Sequence, residues 1–171
     1  LCNNYDIGVV EHIDELNLQG FATVVLPDDE LVFACHEKIQ ENQIETPLCK
    51  LLERHLVLRM EECSCHKMLR LNLLEYGVTL NDFRGITISE DLHLMLNAVR
   101  RGEGICYVSR VLIEEDVNKG TLYEHQVADF RKKRIRTLFF RAEKLKEEAP
   151  RFFIEKVLDL FKISLPPDVA Q

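Results

Sequence analysis

GITISEDLHLMLNAVRRGEGICYVSRVLIEEDVNKG, residues 85–120, is the stretch whose reading decides the fold of this chain. Ile86 to Ile88 is a short β-branched run, the residue type that suits a half-buried strand. Ser89 is placed to cap a helix, with Glu90 and Asp91 set favourably against the positive end of its dipole. Leu92, Met95, Leu96 and Val99 recur at helical spacing on one face. Arg100 and Arg101 close the last turn, Gly102 supplies the left-handed residue after it, and Gly104 permits a second tight turn. Ile105 to Val108 reads as a buried strand, followed by a short helix and a second stop at Gly120. The pattern is a β-α-β unit, whose turns are where α/β folds hold ligands.

Outward from that unit, strand and helix signals alternate, which predicts an α/β fold with mixed, mostly parallel sheets and flanking helices. Asp6 to Val10, Phe21 to Leu26, Leu31 to Cys35 and Leu56 to Leu58 read as strands. Pro27-Asp28-Asp29 between the second and third reads as a turn, and His36 to Glu45 as a polar connection. Pro47 starts a short helix, and a longer one runs from about His66 to Tyr76 before Gly77. Leu122 to Val127 and Arg134 to Phe140 read as further strands around a polar turn. Glu147 to Phe161 reads as a helix with an apolar stripe of Phe153, Val157, Leu160 and Phe161. The two places where strand follows strand suit a chain that crosses into a second lobe and returns.

Composition narrows the function. The 171 residues suit one domain or two small lobes, and 46% hydrophobic with 30% charged residues is the balance of a soluble globular protein. The net charge of −7 argues against direct nucleic-acid binding, which needs clustered cations. The one basic cluster, Arg131 to Arg134 with Arg136, reads as a solvated turn leading into a strand. No apolar run has the roughly 20 residues of a membrane helix and no signal peptide opens the chain, so a cytoplasmic location is the expectation. Six cysteines in a chain this rich in core read as reduced thiols. Enzyme motifs are lacking: there is no G-x-S-x-G elbow, no P-loop and no H-E-x-x-H, and Gly102-Glu103-Gly104 lacks the third glycine of a dinucleotide fingerprint.

Several motifs taken together resemble a known family. Asp6-Ile7-Gly8-Val9-Val10, the run Leu26-Pro27-Asp28-Asp29-Glu30-Leu31-Val32-Phe33, Leu56-Val57-Leu58-Arg59 with its Ser-bearing loop, Glu75-Tyr76-Gly77-Val78 and the turn Val99-Arg100-Arg101-Gly102-Glu103-Gly104-Ile105 are similar to the effector-binding domain of LysR-type transcriptional regulators. The resemblance implies a periplasmic-binding-protein-like fold of two lobes with a small effector between them. Lobe I would be residues 1–26 and 137–165, lobe II residues 27–136, and 166–171 a tail. The family's domain begins with a further strand, helix and strand, preceded by a winged helix-turn-helix. Their absence from the sequence implies an N-terminally truncated domain with an incomplete first lobe, unable to bind DNA by itself. A homo-oligomer, dimer or tetramer, is implied for the intact regulator. The alternatives are a periplasmic-type solute-binding protein, and a thiol-based redox sensor of the same family.

The resemblance also points to effector-binding residues. Cys63, Ser64 and Cys65 form a loop before a helix start, where backbone N–H groups and the dipole favour an anionic group; Ser64 could equally serve as the cap. Val10 and Glu11 end the first strand, and Glu103, Gly104 and Ile105 form the glycine turn beside the same cleft. Glu11 would disfavour a carboxylate ligand and favour an amine or a polar neutral one. Cys65 lies near the reactive cysteine of the family's peroxide sensors, with Cys63 too near in sequence to be a good disulfide partner in most geometries. Cys63, Cys65 and His66 lack a fourth ligand for a closed metal site, so no metal or other cofactor is expected.

Overall fold

The structure, a computed structural model, describes residues 5–39 and 45–165. The chain divides into two compact units, Leu1–Asp28 with Arg134–Gln171, and Asp29–Lys133.

In the first unit, β1 (Ile7–His12) pairs antiparallel with β7 (Lys133–Phe140), which lies between β1 and the first half of β2 (Ala22–Cys35). Helix α5 (Glu148–Phe161) closes the core, where Val24, Leu26, Leu138, Phe140, Ile154 and Leu158 are buried. The apolar stripe of α5 is therefore rotated from the expected one. Ile154, Val157, Leu158 and Phe161 pack inward at i, i+3, i+4 and i+7, while Phe153 and Leu160 point outward, the latter 76% exposed. The basic cluster is also not a solvated turn throughout. Arg134 is buried against Glu11, because its strand belongs to the sheet rather than to the surface.

The expected turn at Pro27-Asp28-Asp29 does not form; β2 is one strand of 14 residues. Its first half alternates buried and exposed, with Val24 and Leu26 inward, and from Leu31 onward every residue is buried. Asp29 is buried too, and its carboxylate accepts a hydrogen bond from the Ser109 hydroxyl at 2.6 Å. A satisfied buried carboxylate removes the reason for this segment to turn out to water.

In the second unit β2 pairs antiparallel with β5 (Cys106–Ser109) and with β6 (Tyr123–His125). β3 (His55–Arg59) pairs parallel with β4 (Gly85–Ser89) and meets the start of β5 through a parallel bridge, Leu56 to Ile105. Strand orientation is thus mixed, and antiparallel pairing has a larger share than strand–helix alternation suggests, because β2 runs against β5. Helix α3 (Leu92–Arg100) sets Met95, Leu96 and Val99 on Val57, Cys106 and Val108. The intervening Tyr107 faces the opposite side of the sheet. There it packs on Phe33 and meets Asn72 of α2 (Ser64–Glu75). Two short helices, α1 (Leu48–Leu52) and α4 (Glu114–Lys119), complete the unit.

The start of α3 corrects the sequence reading in one detail. Asp91, not Ser89, is its cap, accepting the Leu94 N–H at 2.8 Å, while the Ser89 hydroxyl donates to the Asp91 carbonyl. That N–H holds the Asp91 carboxyl below its ordinary range.

Candidate functional site

β3 and β4 end together at Arg59 and Ser89, and both α2 and α3 start beyond that end. Arg59 ties this edge by donating to the carbonyls of Ser89 and Glu90, and its own carbonyl takes a 2.7 Å hydrogen bond from His66 near the start of α2. The two helix starts differ in charge. Asp91 places a carboxylate on α3, whereas α2 opens at Cys63 with no side-chain cap and no acidic residue in its first turn. Cys63 is the cap position and Ser64 the first helical residue, so Ser64 does not take the capping role. The first turn of α2, a helix of 12 residues, thus holds no carboxylate, and Glu61 and Glu62 come just before its cap. Cys65 is buried and Cys63 half-buried, with their sulfurs in contact at 3.0 Å.

The glycine turn lies elsewhere. The Ile105 N–H donates to the carbonyl of His55, the first residue of β3, and the Val57 N–H donates to the Ile105 carbonyl. Five residues of strand, about 13 Å at 3.3 Å per step, separate that edge from the one at Arg59. Glu103, Gly104 and Ile105 are therefore at the opposite edge of β3 from Cys63, Ser64 and Cys65. The expectation that both segments face one cleft is corrected: the turn precedes β5, whereas the loop follows β3, and parallel strands put those features at opposite ends.

The glycine turn borders a cavity of about 150 Å³ within the second unit. His36, Arg54, His55 and Arg84 line it together with the turn, and Cys35 and Glu37 complete it. Sequence reasoning does not single out these residues, which come from three segments separate from the turn. Cys35 lies 3.4 Å from Nε2 of His125, whose Nδ1 is 3.0 Å from the Thr46 hydroxyl. The trio has the outline of a nucleophile and base but not the charge. Burial raises the Cys35 thiol to about 11 and lowers the His125 imidazole, so both are neutral near pH 7.

In the first unit, Val10 and Glu11 stand opposite Thr137 and Arg136 on β1 and β7. One carboxylate oxygen of Glu11 is 2.8 Å from Arg134 and the other 3.5 Å from Arg136. Two guanidinium groups thus pair with the one Glu11 carboxylate.

These features define a class: a two-unit α/β binding domain with a helix start at its strand ends and without a catalytic constellation among the described residues. The sequence profile of the LysR substrate binding domain matches residues 1–162, and the chain belongs to that family. It is a regulatory, ligand-sensing domain rather than an enzyme. The regulatory domain of HypT from Salmonella typhimurium superposes with a TM-score of 0.70 at 13% identity, over 93% of this chain and 74% of that one. The CcmR regulatory domain of Synechocystis PCC6803, in complex with 2-PG, gives 0.69 at 15%, over 94% and 75%. Against full-length HypT, described as a hypochlorite-specific LysR-type transcriptional regulator, the score is 0.68 at 15%, over 92% and 52%. The chain thus spans about half of that regulator, and at such identities the likeness is one of fold. No curated protein matches the sequence significantly. No helix among the described residues is long and apolar enough to cross a membrane.

Proposed function

We propose that this domain senses a small anionic effector at the start of α2 and passes the occupancy on to transcription through an oligomeric LysR-type regulator. Ser64 would be the polar contact, flanked by Cys63 and Cys65. DNA contact would pass through a winged helix-turn-helix outside this sequence. The observation that carries the reading is the contrast between the two helix starts, one capped by the Asp91 carboxylate and the other with no acidic residue in its cap or first turn. The 2-PG complex of the CcmR regulatory domain, a statement about that protein, motivates the choice of ligand sign here. An effector with different affinities for two arrangements of the regulator shifts their populations by that difference.

Thermal unfolding with a panel of small carboxylates, phosphates and amines tests this. At 100 times its Kd a bound effector adds about 2.7 kcal/mol to stability. An acidic member is expected to raise Tm, with Ser64→Ala weakening binding about fivefold, the loss of one hydrogen bond. If amines alone stabilise the domain, or no compound does, the reading is wrong.

The sulfur contact favours a second reading, a thiol switch. A hydroperoxide would oxidise one thiol of the Cys63–Cys65 pair to a sulfenic acid, releasing an alcohol or water. The other thiol would displace water from it and form a disulfide. The 3.0 Å separation gives Cys63 an approach that its sequence position argues against. Peptide mapping after stoichiometric peroxide is expected to recover a Cys63–Cys65 linkage, lost in Cys63→Ser. Recovery of both as free thiols would remove the switch.

A further inference from the structure

The cavity at the His55 edge of the second unit has no part in the proposal above. It lies across β3 from the start of α2, so a ligand held there would be a different ligand, or a second copy. Its charge inventory decides what it accepts. Glu37 is consumed by the Arg54 guanidinium. Glu103 is consumed by Arg101 at 2.6 Å, which holds its carboxyl below the ordinary range and hence ionised. The Cys35 thiol stays protonated and donates to the Glu37 carbonyl at 2.8 Å. Each acidic group on the wall is thus matched or neutral. On the other side of the ledger stands Arg84. Its backbone is fixed by donation to the Leu52 carbonyl at 2.8 Å, yet its guanidinium has no hydrogen bond or ion pair among the described residues. His36 likewise has none there.

Two glycines keep the space open. A Cβ on Gly102 would sit 2.8 Å from the His36 ring, and one on Gly104 would sit 2.3 Å from the His55 carbonyl oxygen. Neither position can project a side chain into the gap, and both bring backbone close to whatever occupies it.

Size narrows the ligand further. Sites for drug-sized molecules enclose roughly 300–1,000 Å³, and a water in bulk takes up about 30 Å³. A cavity of about 150 Å³ therefore suits a group of a few heavy atoms. A metal ion is the wrong sign for the unmatched Arg84, and no group of three His, Cys, Asp or Glu residues among those described could hold one.

We propose that this cavity is a second binding site, for a small oxyanion of phosphate size held by Arg84 and His36. Free phosphate and the phosphate head of a small metabolite present the same chemistry to it. Arg54 contributes field while remaining paired to Glu37, and the Gly102 to Gly104 backbone forms one wall.

Titration calorimetry of the 171-residue chain with inorganic phosphate in a chloride buffer tests the site, followed by amide chemical shifts. Saturable binding is expected, with the Gly102, Gly104 and His55 amides shifting. Arg84→Gln is expected to weaken it about tenfold, the loss of a charge-assisted hydrogen bond. Arg84→Lys should recover most of that loss. Arg84 is exposed, so both Arg84 variants should keep the unliganded Tm. Glycerol phosphate titrated in parallel distinguishes the sources: tighter binding than phosphate assigns the site to a metabolite head group, equal binding to the free ion. No saturable binding, shifts confined to residues 64–66, or unchanged affinity in Arg84→Gln would each overturn the proposal. The last two outcomes leave the α2 reading intact, and failure of that reading leaves this one standing.

Discussion

Gly104→Ala is expected to lower the stability of the second unit by about 3 kcal/mol or more, the range reached when a side chain is forced into closed backbone. The added methyl carbon would lie 2.3 Å from the His55 carbonyl oxygen, far inside contact distance, and that oxygen belongs to backbone. It is also the acceptor for the Ile105 N–H at 2.8 Å, so relief of the clash breaks the bridge joining β3 to β5. Leu56 and Cys106, both fully buried, are adjacent to that bridge, and movement there would open the core on both faces of the sheet. Urea unfolding measures the effect as a fall in midpoint at constant slope. Gly77→Ala is the control. Its residue also has a positive φ, 69°, but nothing lies within 4 Å of the added carbon, so a loss of about 1 kcal/mol is expected. Equal losses at the two sites would mean that the close approach at Gly104 is not what fixes the turn.

Alkaline pH is expected to destabilise the same unit. Burial raises the Cys35 thiol to about 11, and burial together with neighbouring Cys35 raises Cys106 to about 12, from an ordinary value of 9.0. In the unfolded chain both ionise near that ordinary value. The folded form therefore keeps protons that the unfolded form gives up, and folding becomes less favourable as pH rises. The thiols' contribution is complete below about pH 9 and is lost as pH rises toward 11 and 12. At pH 10 the loss is about 1.4 kcal/mol per thiol, or about 3 kcal/mol for the pair. Denaturant unfolding at pH 8 and pH 10 should show this difference, and Cys106→Ala should remove about half of it. Cys49→Ser, at an exposed thiol, should leave the pH dependence unchanged. Equal stability at the two pH values in the unsubstituted protein would refute the assignment.

The parts of the fold that sequence conveys are those whose signals are local. α3 is legible because Met95, Leu96 and Val99 repeat at the helical period within one segment, and Gly102 marks its end with a φ of 78°. β2 is not, because Pro27-Asp28-Asp29 carries turn propensity while its use as strand depends on Ser109, 80 residues away. The α5 stripe misleads for a related reason. Phe153 and Leu160 are as apolar as Ile154 and Leu158, and only the sheet beneath decides which face turns inward. The candidate site divides in the same way. The loop at Cys63 to Cys65 is readable as a helix start, whereas the charge beside Glu11 depends on partners more than 120 residues further along. The cavity at Arg84 needs four segments brought together before it exists at all.

The start of α2, without an acidic residue in its first turn, has a practical consequence for anyone handling the protein. Asp91 gives α3 its own counter-charge in the cap, whereas the first turn of α2 carries no acidic residue, so on the reading proposed above an anion from solution would compete there. The buffer is then a competitor. If α2 takes an anionic effector, phosphate or sulfate at tens of millimolar would compete for the same position, and a weak effector would register as no effector. A screen in a dilute amine buffer with little chloride starts from an emptier domain, and the difference between the two screens measures how strongly α2 draws anions.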